Sequence, residues 1–263
     1  LKNSQINANL NDPNAWMDQI TETMTQNSYA VILGQAVVLK SETKNWAVGD
    51  NGKPILDSSA HGYSYSETNV RYIYNGLGQM TSAVGQTTGR QNQKVWTDTN
   101  RDGTVETQVD QATETETTNT YAVIQGQAVA VRNVTETWSL GDNGQRVTDV
   151  GIQGYTHSVT QVDYLFSDKG QLLGATGTVK NEQNQKVLTI LDGVTTEKDQ
   201  LSVTDTTNNY KVVFGQAVVV LSTSETWAAR QVGNTFVKQI DPGVHGYNHS
   251  TSWVQSTYNQ RGQ

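Results

Sequence analysis

Cysteine is absent from the 263 residues. That excludes a disulfide framework, a thiol nucleophile and any thiolate-ligated metal site. Proline occurs only three times, so long stretches keep every backbone N–H free to join a hydrogen-bonded ladder. Charged residues make up 16% and the net charge is −7. Lys and Arg are dispersed, without the clustered positive stripe that phosphate neutralisation needs, so nucleic acid is excluded as a partner. No apolar run approaches the ~20 residues of a membrane-crossing helix. Leu1 is not an initiator methionine, and the first residues lack a signal-peptide profile. The chain therefore reads as a mature or excised segment. Its lack of cysteine is compatible with an exterior protein stabilised by strand pairing.

The apolar fraction is 35%, below the roughly 45–50% usual for globular chains. Thr, Gln, Asn, Ser and Gly make up the balance. Six Trp and eleven Tyr argue for packing rather than disorder. Thr, Val and Tyr favour strands. Together these predict an extended, Thr-rich β protein with wet faces.

One stretch organises the chain. Tyr29-Ala-Val-Ile-Leu-Gly34-Gln35-Ala-Val-Val38 returns at Tyr121–Ala130 and again at Tyr210–Val219. Other landmarks keep the same phase: Trp46, Trp138 and Trp227, then Gly62-Tyr63, Gly154-Tyr155 and Gly246-Tyr247. Last come Val70-x-Tyr72-x-Tyr74, Val162-x-Tyr164-x-Phe166 and Val254-x-Ser256-x-Tyr258. The chain divides into units 1–79, 80–171 and 172–263, each opening directly after a Gly-Gln pair or at Leu1 in the same phase. Residues 1–28 read as the tail of a unit, which predicts a window on a longer repetitive polypeptide. Gly-Gln pairs at 34, 78, 126, 170, 215 and 262 lie 44 to 48 residues apart, so each unit of about 90 residues holds two half-units, too long for β-helix rungs and suited to tandem antiparallel hairpins. The predicted fold is all-β, an elongated array of such hairpins.

Locally, apolar β-formers flank Gly34-Gln35. Glycine at the first central position suits a type II′ turn. That register would pair Leu33 with Ala36, Ile32 with Val37 and Val31 with Val38. Both faces would be apolar, which predicts a hairpin buried on both sides. One continuous strand with a glycine bulge is the alternative. Gly49-Asp-Asn-Gly52 and Gly141-Asp-Asn-Gly144 read as turns, and Ala228–Asn234 as a longer, looser loop. Ala15–Met24 reads as a Thr-alternating strand. Val70, Tyr72 and Tyr74 have strict period two, and Gly76-Leu-Gly78-Gln79 turns that strand back.

Arg71-Tyr-Ile-Tyr-Asn-Gly-Leu-Gly-Gln-Met80 and Asp163-Tyr-Leu-Phe-Ser-Asp-Lys-Gly-Gln-Leu172 resemble the tyrosine–aspartate (YD) repeats of bacterial Rhs and teneurin-type proteins. The likeness covers about 20 residues per unit of the roughly 90-residue repeat. Asn75, Ser167 and Asn259 stand where Asp is usual. The resemblance implies a β-spiral of hairpins in a bacterial exterior setting and carries over no catalytic residue.

The sharpest chemical motif is Asp98-Thr-Asn100-Arg-Asp102-Gly103-Thr104-Val105-Glu106. Oxygen ligands at positions 1, 3 and 5, Gly at 6 and a backbone carbonyl at 7 are how an EF-hand-like loop wraps Ca²⁺. Asp98, Asn100, Asp102, Thr104 and Glu106 are the candidate ligands. Val109 stands where the usual twelfth-position Glu would be. A plain Asp/Asn/Gly turn is the alternative. His61 and His245 share one repeat position, as do His157 and His249. Without a third ligand, they read as hydrogen-bonded surface or interface residues rather than a zinc site. No nucleophile-elbow pattern accompanies the serines. Glu114 and Glu116 lie in a Thr-rich alternating strand and read as a solvated face, so no enzyme is expected. The in-phase tryptophans read as packing between neighbouring hairpins; Trp96 and Trp253, which do not recur, are the candidates for stacking a sugar. Asn133-Val-Thr135 and Asn248-His-Ser250 are sequons expected by chance in such sequence.

The expectation is a structural repeat region of a long bacterial cell-surface or extracellular fibre or adhesin. Its partners would be neighbouring repeats or copies of itself. The alternatives are a carbohydrate-binding surface module and part of a YD-repeat encapsulating shell. Calcium is the one cofactor foreseen.

Overall fold

The computed structural model describes residues 4–7, 16–49, 51–60, 62–97, 107–191, 194–243 and 246–258. They form antiparallel strands, with no helix among the described residues. The first group is β1 (Ser4–Asn7), β2 (Trp16–Ile32), β3 (Gln35–Val48), β4 (Ser64–Tyr74) and β5 (Met80–Thr97). Then come β6 (Thr107–Ile124), β7 (Gln127–Ser139), β8 (Thr156–Phe166) and β9 (Leu172–Leu191). The last are β10 (Val194–Val213), β11 (Gln216–Val232), β12 (Thr235–Lys238) and β13 (His249–Gln255). They pair in sequence order, β1 to β12, in one meandering sheet, and β13 also pairs with β11. The Ala15–Met24 stretch is strand from Trp16 onward, as its alternation predicts.

The hairpins are joined edge to edge, so neighbours satisfy each other's backbone groups; the hydroxyl face stays open and the aromatic face is covered only where the connecting turns fold back over it. The chain exposes 17332 Å², against about 11,000 Å² for a compact protein of its mass. The buried apolar residues among those described are few and mostly small: Ala47, Tyr63, Ala83, Val150, Tyr155, Ala175, Val203 and Ala229. This corrects the expectation for the Gly-Gln hairpin. Tyr29, Val31 and Leu33 are 60%, 74% and 75% exposed, because no second layer covers the Gly-Gln end of this hairpin.

The turn is also one residue out from its predicted register. Ile32 pairs with Gln35, Val31 with Ala36 and Ala30 with Val37. Leu33 and Gly34 are therefore the two loop residues, with φ of 51° and 80°. Positive φ at both central positions is type I′, whose twist matches the flanking strands. Gln125-Gly126 and Phe214-Gly215 repeat it. Each of these hairpins carries a bulge just before its Tyr, between Ser28/Tyr29, Thr120/Tyr121 and Asn209/Tyr210. Gly78 and Gly170 serve a different, longer turn. There Asn75 Oδ1 accepts from Leu77 N and Gln79 N, and Ser167 Oγ accepts from Lys169 N and Gln171 N. Asn75 and Ser167 thus cap this turn. Because strands alternate in direction, the Gly-Gln turns at 34, 78, 126, 170 and 215 all lie at one end of the sheet.

The Gly52 and Gly144 turns form as expected, with Gly52 N donating to Gly49 O and Gly144 N to Gly141 O. Ala228–Asn234 is not a loose loop. β11 runs through it, and Gly233-Asn234 joins Val232 to Thr235 of β12 in a tight hairpin.

The register lines up residues across every long strand. On one face the row runs Glu22, Trp46, Tyr65, Arg90, then Glu114, Trp138, His157, Glu182, then Val203, Trp227 and His249. The opposite face carries hydroxyls. One row runs Thr25, Thr43, Thr68, Thr87, then Thr117, Thr135, Thr160, Val179, then Thr206, Ser224 and Ser252. Thr68–Thr87, Thr117–Thr135 and Thr206–Ser224 are joined by side-chain hydrogen bonds of 2.9, 2.9 and 2.7 Å. Residue types recur every four strands, which places each landmark of the sequence repeat in one lateral line.

Candidate functional site

The densest chemistry lies along the aromatic row. Trp46, Trp138 and Trp227 sit near the ends of β3, β7 and β11. Each faces a ring directly across on the next strand: Tyr65 at 5.7 Å, His157 at 5.1 Å and His249 at 4.7 Å between centroids. The two histidines are near-parallel to their tryptophans, at 11° and 17°. Such stacks add about 0.5–1.5 kcal/mol beyond burial. The tryptophans thus pack between neighbouring hairpins, as their phase predicts.

The turn after β7 folds the chain back so that Arg146 bridges to Leu140 and its guanidinium lies 3.7 Å from the Trp138 ring centre. Lys238, on β12, lies equally close over Trp227. In the first segment Pro54 bridges to Val48 at the position Arg146 holds in the second. A cation over an indole face is held by the ring quadrupole. Arg146 also donates to Glu114 Oε1 at 2.6 Å and Glu116 Oε2 at 3.1 Å, and Arg90 pairs with Glu114 from the other side. Glu114 is 9% exposed. This overturns the solvated-face reading of Glu114: the strand alternates as expected, but the returning turn brings Arg146 onto that carboxylate and β5 brings Arg90 from the other side.

Two joints are marked in the sequence by the repeated Gln-Asn-Gln-Lys at 91–94 and 183–186. Asn184 of β9 is 1% exposed. Its backbone N donates to Tyr155 O, its carbonyl accepts from Gly154 N, and its Nδ2 reaches Val150 O at 3.1 Å. Asn92 of β5 makes the same set with Tyr63, Gly62 and Ser59. Each asparagine pins the loop preceding one strand pair to the strand that follows it.

A third recurring contact is Tyr on Gly. A Cβ added at Gly85 would lie 3.0 Å from the Tyr121 hydroxyl, and one at Gly177 as close to that of Tyr210. The rings lie against strand glycines, an arrangement that restores packing where glycine leaves none. Burial raises the Tyr121 phenol, with Tyr72 adding to it, and raises Tyr210, with Tyr164 adding. Burial, then the Glu182 charge, pushes Tyr155 up to about 12. Glu42 goes the other way, to about 2, because Lys40 and then Lys44 hydrogen-bond it.

The candidate calcium residues Asp98, Asn100, Asp102, Thr104 and Glu106 lie outside the described residues, as do His61 and His245. Among the described residues no group of three or more His, Asp or Glu side chains is placed to hold a metal. His157 contacts Glu136 at 3.3 Å besides its stack on Trp138, an interface role as expected. Trp253 is 65% exposed, whereas the side chain of Trp96 falls outside the description. A concavity of about 490 Å³ lined by Lys40, Glu67, Asn69, Arg71, Val84 and Gln86 is open to solvent. The arrangement is one of packing and pinning, repeated at each junction. No protein-family model matches the chain, and neither a curated protein nor a solved structure matches it significantly.

Proposed function

We propose that the chain is a structural repeat region of a long bacterial cell-surface or extracellular fibre or adhesin. The observation that carries this reading is that one sheet continues from β2 to β11 with the same lateral rows at every step. Units joined by strand pairing transmit stiffness along the row, and the Trp–ring, Asn–loop and Tyr–Gly contacts recur four strands later. The hydroxyl face keeps the array wet without a charged surface. Its partners are further repeats, by the same edge pairing. Calcium held by Asp98, Asn100, Asp102, Thr104 and Glu106 would stiffen the β5–β6 connection. The resemblance of residues 71–80 and 163–172 to YD repeats would imply an exterior setting.

Small-angle scattering on the chain and on a tandem of two chains tests the reading. Four strands per unit add about 19 Å of length at the usual strand spacing. A second chain of three such units should therefore lengthen the sheet by about 57 Å across the strands. Growth like that of a compacting globule would overturn it.

Trp253 favours a second reading, a sugar-binding surface. Binding on a glycan array that is lost in Trp253→Ala would support it.

A further inference from the structure

The two faces of the sheet differ in charge. Strands β3 to β11 are each paired on both edges. Across them the hydroxyl row passes through Thr43, Thr87, Thr135 and Thr206. A parallel row lies two residues to one side, through Asn45, Thr115 and Thr226, and another to the other side, through Ser41, Asn119 and Ser222. On none of these strands does a position in the three rows hold Asp, Glu, Lys, Arg or His. The charges of the same strand segments, such as Glu42, Lys44, Glu116 and Asp205, alternate onto the aromatic side. The returning turns also lie on that side, over Trp138 and Trp227. The hydroxyl rows stay half-exposed, except at Gly85 and Gly177, which lie against Tyr121 and Tyr210.

We propose that the hydroxyl face receives a second copy of this chain, sheet on sheet, in a two-fold symmetric contact. This lateral joint goes beyond the fibre reading, whose joint runs along the strand edges, and does not rest on it. Charge is the first argument. The chain carries a net −7, and this is the face on which two copies meet without like charges opposed. Chemistry is the second. Hydroxyls are tied in pairs, Thr117 to Thr135 and Thr204 to Thr226, at 2.9 Å each. Each pair spends one O–H on itself and keeps another O–H and lone pairs, so the face is donor and acceptor at once and complements its own copy. Area is the third. Nine strands by three rows cover about 43 Å by about 17 Å, roughly 700 Å², close to the ~800 Å² per partner of a stable interface. The rings of Tyr121 and Tyr210 border the rows on the Gly-Gln side, and tyrosine is the residue type that interfaces favour. Shape is the fourth. A second copy has the same twist, so the two sheets pack aligned, about 10 Å apart.

Sedimentation velocity on the full chain over a concentration series should show a reversible monomer–dimer equilibrium. Scattering should show the dimer thickened from one sheet to two. Thr135→Lys, in the central row, should weaken the dimer at least about tenfold. Thr178→Lys, the same change at an exposed position on the opposite face of β9, should leave it within about twofold. An equimolar mixture of Thr135→Lys and Thr135→Glu chains should dimerise more tightly than either variant alone, which misfolded chains cannot do. A chain that stays monomeric, a dimer indifferent to Thr135→Lys, or a dimer that lengthens across the strands instead of thickening would each overturn the proposal. So would a monomer held by a cellulose resin through a contact that Thr135→Lys abolishes, since the face would then be a glycan surface. A thickened dimer with a compact tandem removes the fibre reading and keeps this contact; a monomeric tandem that grows linearly does the reverse.

Discussion

Arg146 lies 3.7 Å from the centre of the Trp138 ring, brought there by the Gly141–Gly144 turn rather than by strand register. Its guanidinium serves that ring and the Glu114 and Glu116 carboxylates together. A double-mutant cycle on Arg146→Ala and Trp138→Ala, by urea unfolding, should give a coupling of about 0.5–2 kcal/mol, the span of cation–π contacts from exposed to desolvated. Additive losses would mean the contact contributes nothing.

Asn184 is the polar residue most deeply placed at a junction. Asn184→Ala leaves the Val150 carbonyl without its donor and should cost about 1–3 kcal/mol. Hydrogen exchange should rise selectively in residues 141–155. Asn92→Ala should act in the same way on residues 51–63, leaving the second loop protected.

The type I′ turns carry a testable strain. Leu33, Gln125 and Phe214 hold φ near 50°, which non-glycine residues other than Asn and Asp avoid. Gln125→Asn should therefore stabilise by about 0.5–1 kcal/mol, seen as a higher melting temperature. Gly126→Val should destabilise, since φ of 79° strains any β-branched residue.

Alkali should loosen the sheet. Tyr155 titrates near 12 in the fold, against 10.0 for the free side chain. A raised phenol pKa means the fold prefers the neutral form. Its contribution is fully present below pH 10 and is lost as pH climbs towards 12. Tyr63, Tyr121 and Tyr210 shift in the same direction, mainly through burial. Tyr155→Phe should remove the last phenolate absorbance to appear and flatten the stability decline over that range. Glu42, lowered to about 2, acts oppositely: its contribution holds above its ordinary value of 4.5 and is lost as pH falls through 2. Its effect is small because the pair is solvated.

Asp102→Ala tests the calcium loop. If the loop binds, millimolar calcium raises the melting temperature of the natural chain and not of the variant. No shift in the natural chain would remove calcium from the proposed function.

The sequence by itself determined the hairpins. Period-two alternation, strand-forming Thr, Val and Tyr, and glycine at fixed offsets are local properties, and local backbone sterics decide where a chain turns. The position of Gly34, Gly78, Gly126, Gly170 and Gly215 at turns followed from that alone. Tertiary pairing decided what one residue of register and thirty residues of separation control. It moved the turn to Leu33-Gly34, since strand twist selects type I′. It set hairpins edge to edge, which left Val31 and Leu33 in solvent. It also brought Arg90 and Arg146 onto Glu114, and Asn92 and Asn184 onto loops about thirty residues earlier, contacts that local pattern does not encode because they depend on which strand lies alongside.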